Sequence, residues 1–264
     1  MIELYHNDMS SCAQKVRFVL HEKGLDWKSI ELDLRAGDQL KPEFLKVNPR
    51  GLVPVLVHDG EVIPESTVIC EYLDETFPEP ALLPQTPLAR ARTRLWTQPI
   101  DEFLHMDTVA LSFAIAFGEQ LRNAQDTPEK LEVHLKSIPD LEIREIQRQV
   151  VPHGVHCDRF ALAVTRYANQ FALMDEVLGA QPWLAGERLS LADIEYGPYA
   201  TRAEHLRLEA LWEKLPNFTR WYERLKKTDG YQKGFAEWFN PNYLELMGSK
   251  GAEAQSRVRE ILAS

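Results

Sequence analysis

Cysteine is scarce in this sequence, and the few cysteines lie far apart. There are 3 in 264 residues, at Cys12, Cys70 and Cys157, and no two of them form a CxxC pair. An odd number at wide spacing offers neither a disulfide framework nor a paired-cysteine zinc site. This usage is typical of a reducing compartment. Because the N-terminus also has no basic segment before an apolar run, we expect a cytoplasmic protein.

The motifs that mark common cofactor and metal sites are missing as well. The sequence has no GxxxxGK[ST] phosphate loop, no GxGxxG and no HExxH. Its 8 histidines are scattered, and none pairs with another four positions away on a convincing helix. We therefore expect no metal site.

Positive charge is in deficit, and long apolar runs are absent. The formal net charge is −10 and the sequence pI is about 5.4. Nucleic acid and anionic membranes both require a basic face, so we expect neither as a partner. The longest uncharged apolar stretch, residues 108–118, is too short to cross a bilayer. A hydrophobic share of 44% is that of a globular protein with room for two modest domains.

The first 78 residues alternate between strand and helix patterns. A strand at 2–5 precedes a polar loop and a helix that ends at Gly24, and a second strand at 27–34 precedes a short helix at 42–47. Two apolar runs around Asp59-Gly60 predict a hairpin, which a helix at 65–77 follows. The order β-α-β-α-β-β-α predicts a small mixed α/β sheet.

The rest of the chain carries only helical patterns. Four prolines in residues 78–87 indicate a linker. Helices are predicted at 88–122, within 123–140, at 142–178 with a break near 152–154, at 191–206 and at 216–227, followed by a partly helical tail. Ser190 and Asp193 form a capping box before one of them. The predicted domains are 1–78 (α/β), 79–87 (linker) and 88–264 (all-helical).

Residues 48–73, NPRGLVPVLVHDGEVIPESTVICEYL, contain the first candidate site. Pro54 removes a donor from the hairpin, so its strand must lie at an edge or end at the proline, where a cis bond is also favoured. Pro64-Glu65-Ser66 places a carboxylate and a hydroxyl at a helix N-terminus, which binds anions. The three features in this order favour a binding site over a capped surface helix.

The loop Ser10-Ser11-Cys12 is the second candidate, because it opens the first helix after the first strand. An isolated triplet of this kind is usually an N-cap serine with a buried cysteine. At the end of a strand, however, the hydroxyl is well placed to hydrogen-bond a bound thiolate. A free thiol has a pKa of about 8.5, and such a bond together with the positive helix end lowers it. The loop thus predicts activation of a thiol cosubstrate.

These features, taken in order, resemble cytosolic glutathione transferases over residues 1 to about 239. The resemblance implies a thioredoxin-like first domain, an all-helical second domain, glutathione as cosubstrate and a twofold homodimer. Ser10-Ser11-Cys12 with Val16-Arg17 looks like the zeta-class loop, in which Ser10 would hold the thiolate with Ser11 and Cys12 close by.

The same resemblance implies how glutathione would be held. Val53 would pair its main chain with the cysteinyl part, next to a cis Pro54. The γ-glutamyl end would be taken by Glu65 and Ser66, and the glycyl end by Gln39. A carboxylate from the partner subunit commonly completes such sites, and Asp101 is the candidate.

The second substrate is expected to be a small, aromatic electrophile. It would lie against the long helix near His105, Phe113 and Phe117, although plain helix core explains these three about as well. ESTVICEYL, RLWT and residues 101–102 and 116–118 resemble bacterial glutathione-dependent lignin β-etherases, which suggests β-aryl ether cleavage. Two alternatives stay open: a Cys12-dependent reductive dehalogenase or thiol oxidoreductase, and a glutathione-fold protein that binds or interacts without turnover.

Overall fold

The computed structural model describes the whole chain, Met1–Ser264, which divides into two compact units. The first contains Met1–Ile100, Gln181–Pro198 and Trp221–Asn240. The second contains Asp101–Ala180, Tyr199–Arg220 and Pro241–Ser264. Packing thus groups parts of the predicted helical domain with the first unit. The predicted domain borders, which end the α/β domain at residue 78 and begin the helical domain at residue 88, stay a prediction.

A four-stranded mixed sheet forms the centre of the first unit. β1 (Ile2–His6) pairs in parallel with β2 (Lys28–Glu31) and antiparallel with β3 (Val55–His58). β4 (Glu61–Pro64) completes the order β2-β1-β3-β4. The predicted strand at 27–34 is shorter than expected, because the Asp33 side chain accepts hydrogen bonds from the N–H groups of residues 35 and 36 and turns the chain.

The predicted hairpin is confirmed at its turn and at its proline. Asp59 and Gly60 have φ of 52° and 91°, the positive values that a tight two-residue hairpin turn requires. β3 is an interior strand, and it begins at Val55, directly after Pro54. The missing N–H of the proline therefore falls outside the ladder.

Three helices complete the predicted order in this unit: α1 (Ser11–Glu22), α2 (Pro42–Leu45) and α3 (Ser66–Thr76). A 3-10 turn, Asp38–Leu40, precedes α2. Gly24 follows α1 with φ of 61°, a conformation that glycine adopts at little cost. Leu4, Val16, Leu56 and Leu73 are fully buried and belong to the core of the sheet and its helices.

The proline-rich segment after α3 is anchored by one buried ion pair. The carboxylate of Asp74 accepts hydrogen bonds from the N–H groups of Leu82 (2.8 Å) and Leu83 (3.0 Å) and contacts the ammonium of Lys23. The same ammonium donates to the carbonyls of Phe77 and Pro80, both at 2.7 Å. Helix α4 (Pro87–Pro99) then begins with Thr86 as its N-cap.

Asp193 organises the part of the first unit that comes from the second half of the chain. Its carboxylate accepts from the N–H of Leu184 at 2.8 Å and from the indole N–H of Trp221 at 2.9 Å. It also accepts from the N–H of Ser190 at 3.0 Å and the hydroxyl of Ser190 at 2.8 Å. One half of the predicted capping box is therefore confirmed, because the Asp193 carboxylate reaches back to the N–H of Ser190.

The remaining elements are helices, as predicted for this part of the chain. They are α5 (His105–Ser112), α6 (Gly118–Ala124), α7 (Pro128–Ser137), α8 (Leu141–His153), α9 (Asp158–Leu178), α10 (Leu191–His205), α11 (Pro216–Leu225), α12 (Asp229–Gly234) and α13 (Pro241–Leu262). No helix combines the length and apolar character that a membrane span requires.

Two of these segments differ from the expectation in detail. The predicted helix at 88–122 is helical, but it contains two π segments, Ile100–Leu104 and Phe113–Phe117. The predicted partly helical tail contains a helix of 22 residues, α13. Gly251 lies in its middle, where a Cβ atom would come within 2.1 Å of the carbonyl oxygen of Leu206. Packing against Leu206 thus requires a residue that lowers helix propensity.

Candidate active site

Three loops that the sequence singles out meet at one edge of the sheet. Tyr5 of β1 pairs with Val55 of β3, and Val55 pairs with Pro64 of β4. At this edge β1 continues into loop 7–10, β3 is entered from residues 53–54, and β4 continues into α3. The strand register therefore brings the Ser10 loop, the Val53-Pro54 step and the N-terminus of α3 together within the first unit.

Ser10 is the N-cap of α1. Its main chain is extended, and its Oγ accepts a hydrogen bond from the N–H of Ala13 at 3.2 Å. This bond uses a lone pair and leaves the hydroxyl proton for a ligand. Ser10 and Cys12 are half-buried, whereas Ser11 is buried. The hydroxyl lies at the positive end of a 12-residue helix, where an anion is stabilised.

Val53 and Pro54 are joined by a cis peptide bond, as predicted. Asn48 orders the preceding turn, since its amide donates to the carbonyl of Leu52 at 2.9 Å and accepts from the N–H of Arg50 at 3.1 Å. Val53 precedes β3, so its main-chain groups take no part in the sheet ladder. They can pair with the main chain of a peptide-like ligand.

Glu65 caps α3 in an unusual conformation. Its φ is 70°, which is uncommon for a residue other than glycine and marks a position worth a functional hypothesis. Its carboxylate is half exposed and contacts the guanidinium of Arg50 at 2.6 Å. Ser66 is the first residue of α3 and is buried. This end of the helix thus offers a carboxylate for an ammonium group and N–H groups for a carboxylate.

A buried polar network that sequence reasoning missed joins the two helices that begin at this edge. The ammonium of Lys15 on α1 and the carboxylate of Glu195 lie 3.8 Å apart, and both side chains are fully buried. The hydroxyl of Thr67 on α3 donates to Glu195 at 3.1 Å and accepts from Lys15 at 3.5 Å. Nothing in the local sequence pairs Lys15 with a residue 180 positions away, so only packing could reveal this contact.

Gln39 lies on the 3-10 turn Asp38–Leu40, as part of the same unit. Its amide nitrogen donates to the carbonyl of Leu34 at 3.2 Å. Its Oε1 is buried and has no hydrogen-bond partner within the chain. A buried acceptor without a partner is costly, which marks Gln39 as a position worth a functional hypothesis.

The other predicted site residues lie in the second unit, and their roles stay predictions. Asp101 is exposed on the π segment Ile100–Leu104. His105 is half-buried at the start of α5, and its ring lies edge-on to Tyr199 with the centroids 6.4 Å apart. Short π segments occur frequently at functional sites, which draws attention to this helix.

Phe113 and Phe117 are half-buried and extend into a row of three rings within the second unit. Their centroids are 5.9 Å apart, and Tyr243 on α13 lies 6.0 Å from Phe117 in an edge-on arrangement. Sequence reasoning predicted a partly helical tail here but did not assign Tyr243 to this row. A separate groove of about 720 Å³ is lined by α13 with Arg207 and Glu209, and it contains none of the predicted residues.

Two family models match the chain. The model described as "Glutathione S-transferase, N-terminal domain" matches residues 9–76, and "Glutathione S-transferase, C-terminal domain" matches residues 146–224. Together they cover more than half of the sequence.

Individual relatives agree with these matches over most of their length. Protein LigF of Sphingobium sp. (strain NBRC 103272 / SYK-6) is 27% identical and covers 95% of this chain and 99% of its own. The crystal structure of β-etherase LigF superposes with a TM-score of 0.78 at 30% identity, covering 89% and 99% of the two chains. Maleylacetoacetate isomerase of Pseudomonas aeruginosa is 30% identical, covering 77% of this chain and 82% of its own.

Proposed function

The chain belongs to the glutathione S-transferase family, and from that premise we propose that Ser10 activates glutathione for attack on a small aromatic electrophile. The observation that carries this proposal is the position of Ser10. Its hydroxyl caps α1 at the sheet edge where the Val53-Pro54 step and the N-terminus of α3 also lie. These are the three elements that a tripeptide thiol needs: a thiolate donor, a main-chain partner and an end group.

The chemistry follows from the charge that the site stabilises. A hydrogen bond from Ser10 and the positive end of α1 favour the thiolate over the thiol, so more of the nucleophile is present at neutral pH. The thiolate sulfur attacks an electrophilic carbon, a C–S bond forms, and the leaving group departs with its electron pair. The thiol proton goes to solvent when the thiolate forms.

We assign the remaining glutathione contacts to residues of the same edge. Glu65 takes the γ-glutamyl ammonium and Ser66 the γ-glutamyl carboxylate, with the charge of Arg50 beside them. Val53 pairs with the cysteinyl main chain. Gln39, whose side-chain oxygen has no partner within the chain, takes the glycyl end.

β-Aryl ether cleavage is the more specific form of this proposal. It is supported by the β-etherase name of a structural relative at 30% identity. In this reaction the thiolate attacks the carbon that carries the aryl ether oxygen, the C–O bond breaks, and the phenolate leaves and is protonated by water. His105, Phe113 and Phe117 would hold the aromatic part. Incubation with glutathione and a β-aryl ether should release the phenol, and release no faster than without enzyme would remove this form alone.

The central test compares Ser10→Ala with Ser11→Ala and Cys12→Ala. Bound thiolate is followed by its ultraviolet absorbance as a function of pH, and kcat/KM is measured with a general aromatic electrophile. A hydrogen bond to a charged group contributes about 1.5–3 kcal/mol, so Ser10→Ala should lower kcat/KM about 10- to 100-fold. Ser11→Ala and Cys12→Ala should stay close to the unchanged protein.

The same variants decide between the proposal and its alternatives. Loss of activity on Cys12→Ala with retention on Ser10→Ala would indicate a cysteine-dependent dehalogenase or thiol oxidoreductase, in agreement with the half-buried position of Cys12 in the first turn of α1. Glutathione binding with no turnover over a broad panel of electrophiles would indicate a binding protein.

We further propose a homodimer in which Asp101 of one subunit completes the glutathione site of the other. Asp101 is exposed and lies in the first turn of the π segment. Sedimentation should give twice the mass of 30.4 kDa. Asp101→Asn should weaken glutathione binding without changing the mass, whereas a monomer would refute the assignment.

A further inference from the structure

We propose that Arg17 is a positioning residue, which holds the loop of residues 7–10 so that the Ser10 hydroxyl points at the bound sulfur. The segment that ends at Asn240 contacts the same loop at Asp8 and Met9. This inference rests on the function proposed above, because the loop matters only if Ser10 meets a thiolate. It adds two residues that have no part in binding glutathione.

The side chain of Arg17 is fully buried, and two of its four hydrogen bonds go to the backbone of this loop. It donates to the carbonyls of Asn7 at 2.9 Å and of Asp8 at 2.8 Å. It also donates to Nδ1 of His6 at 3.1 Å and to the carbonyl of Gly234 at 2.8 Å. The guanidinium thus forms hydrogen bonds with the end of β1, the first half of the loop and α12.

The hydrogen-bond acceptors around Arg17 offset the free-energy cost of burying its charge. Burial lowers the pKa of Arg17 to about 9, while the charges of Asp8 and Glu31 act in the opposite direction. The guanidinium also lies over the ring of Trp238, 4.8 Å from its centroid. Fully buried charged side chains are usually paired with an opposite charge. Here the fork is directed at main-chain carbonyls, which suits a role in fixing the path of a loop.

A second anchor reaches the same loop from the segment after α12. The side-chain amide of Asn240 donates to the carboxylate of Asp8 at 3.1 Å, and the N–H of Asn240 lies 3.3 Å from the sulfur of Met9. Met9 directly precedes Ser10, so this second anchor contacts the residue next to the cap.

Two glycines allow α12 to lie close enough to α1 for these contacts. A Cβ atom at Gly234 would come within 2.7 Å of the main-chain nitrogen of Phe18, and one at Gly230 within 2.5 Å of the Phe18 ring. The close approach places the Gly234 carbonyl within reach of Arg17. The position of the Ser10 loop therefore depends on residues more than 200 positions further along the chain.

Loss of either anchor should lower the rate of the chemical step more than it weakens the binding of glutathione. A displacement of about 1 Å at a reacting group can cost about 100-fold in rate, whereas the contacts of the γ-glutamyl end lie on other loops. Arg17→Lys keeps a charge but loses the planar fork that spans several carbonyls. Asn240→Ala removes the second anchor and leaves Arg17 in place. Arg94→Lys, which changes an exposed pair with Glu71, is the matched control.

The experiment measures the pH at which half of the bound glutathione is thiolate, together with kcat and KM, for each variant. Arg17→Lys and Asn240→Ala should raise this pH by about half to one unit and lower kcat about tenfold, with KM for glutathione changed less than twofold. Arg94→Lys should match the unchanged protein. In the double variant Ser10→Ala with Arg17→Lys, the second substitution should add nothing, because the hydroxyl that Arg17 positions is gone.

Several outcomes would overturn the inference. Unchanged pH midpoints in folded Arg17→Lys and Asn240→Ala would refute it, as would additive losses in the double variant. If Arg17→Lys does not fold, Arg17→Gln, which keeps a planar donor group but loses the charge and the fork, is measured in its place beside Asn240→Ala. If the unchanged protein binds glutathione without lowering the pKa of its thiol, the proposed function fails first, and the inference fails with it.

Discussion

The buried pair of Lys15 and Glu195 gives the sharpest prediction about stability. At a separation of 3.8 Å and an effective dielectric constant of about 20, their attraction is about 4 kcal/mol. Transfer of both charges from water offsets most of this gain, so the intact pair contributes little net stability. Removal of one partner, however, leaves the other charge buried without this attraction to offset its desolvation.

We therefore expect Lys15→Met or Glu195→Leu alone to lower the free energy of unfolding by about 3–5 kcal/mol. The double variant Lys15→Met with Glu195→Leu should recover to within about 2 kcal/mol of the unchanged protein, because no buried charge remains. Urea unfolding, followed by tryptophan fluorescence and circular dichroism, measures all three.

The exposed pair of Lys41 and Asp38 supplies the control. Its separation of 2.6 Å is shorter than that of the buried pair, yet Lys41→Met should leave the urea midpoint unchanged within error, because water screens both charges. The reasoning is refuted if Lys15→Met costs less than about 1 kcal/mol, or if the double variant is as unstable as the sum of its parts.

Two further predictions concern Asp193 and Gly118. Burial raises the pKa of Asp193 to about 6, against about 3.9 when unfolded, so its protonated form favours the folded state. The free energy of unfolding of the unchanged protein, relative to that of Asp193→Asn, should fall by up to about 3 kcal/mol as the pH rises from about 4 to about 6. If the difference between the two proteins does not change over this pH range, the burial argument is contradicted. Gly118 donates its N–H to the carbonyl of Phe113, and a Cβ there would lie 2.4 Å from that oxygen. Gly118→Ala should lower the free energy of unfolding by about 1–3 kcal/mol. Ala116→Gly in the same π segment provides a comparison without a clash. An unchanged urea midpoint for Gly118→Ala would contradict the π geometry.

Local patterns were sufficient to predict the order of elements and several site residues. The Asp59-Gly60 turn, the Ser10 cap and the capping box of Ser190 and Asp193 each depend on residues within three positions of one another. Such interactions can be predicted from adjacent residues, because turn and cap geometry depends on a few consecutive dihedral angles. The α/β unit and the helical remainder followed from periodicity in the same way.

Helix detail was less accessible to this reasoning. A π segment inserts one residue into a helical turn without changing composition, so Ile100–Leu104 and Phe113–Phe117 leave no mark in the apolar pattern. Glycines lower the helix propensity of α13. At Gly251, only the close approach to Leu206 explains why the residue is a glycine. Tertiary contact overrides propensity at that position.

By itself, the sequence determined which short stretches could bind an anion or carry a thiolate-stabilising hydroxyl, because caps and turns are local. Only the tertiary structure decided that these stretches share an edge, since that depends on the register of Tyr5 with Val55 and of Val55 with Pro64. It also decided that Arg17 meets Gly234, a contact across 217 positions. Contacts at such separations arise from the packing of whole elements, and that packing is determined by the entire chain.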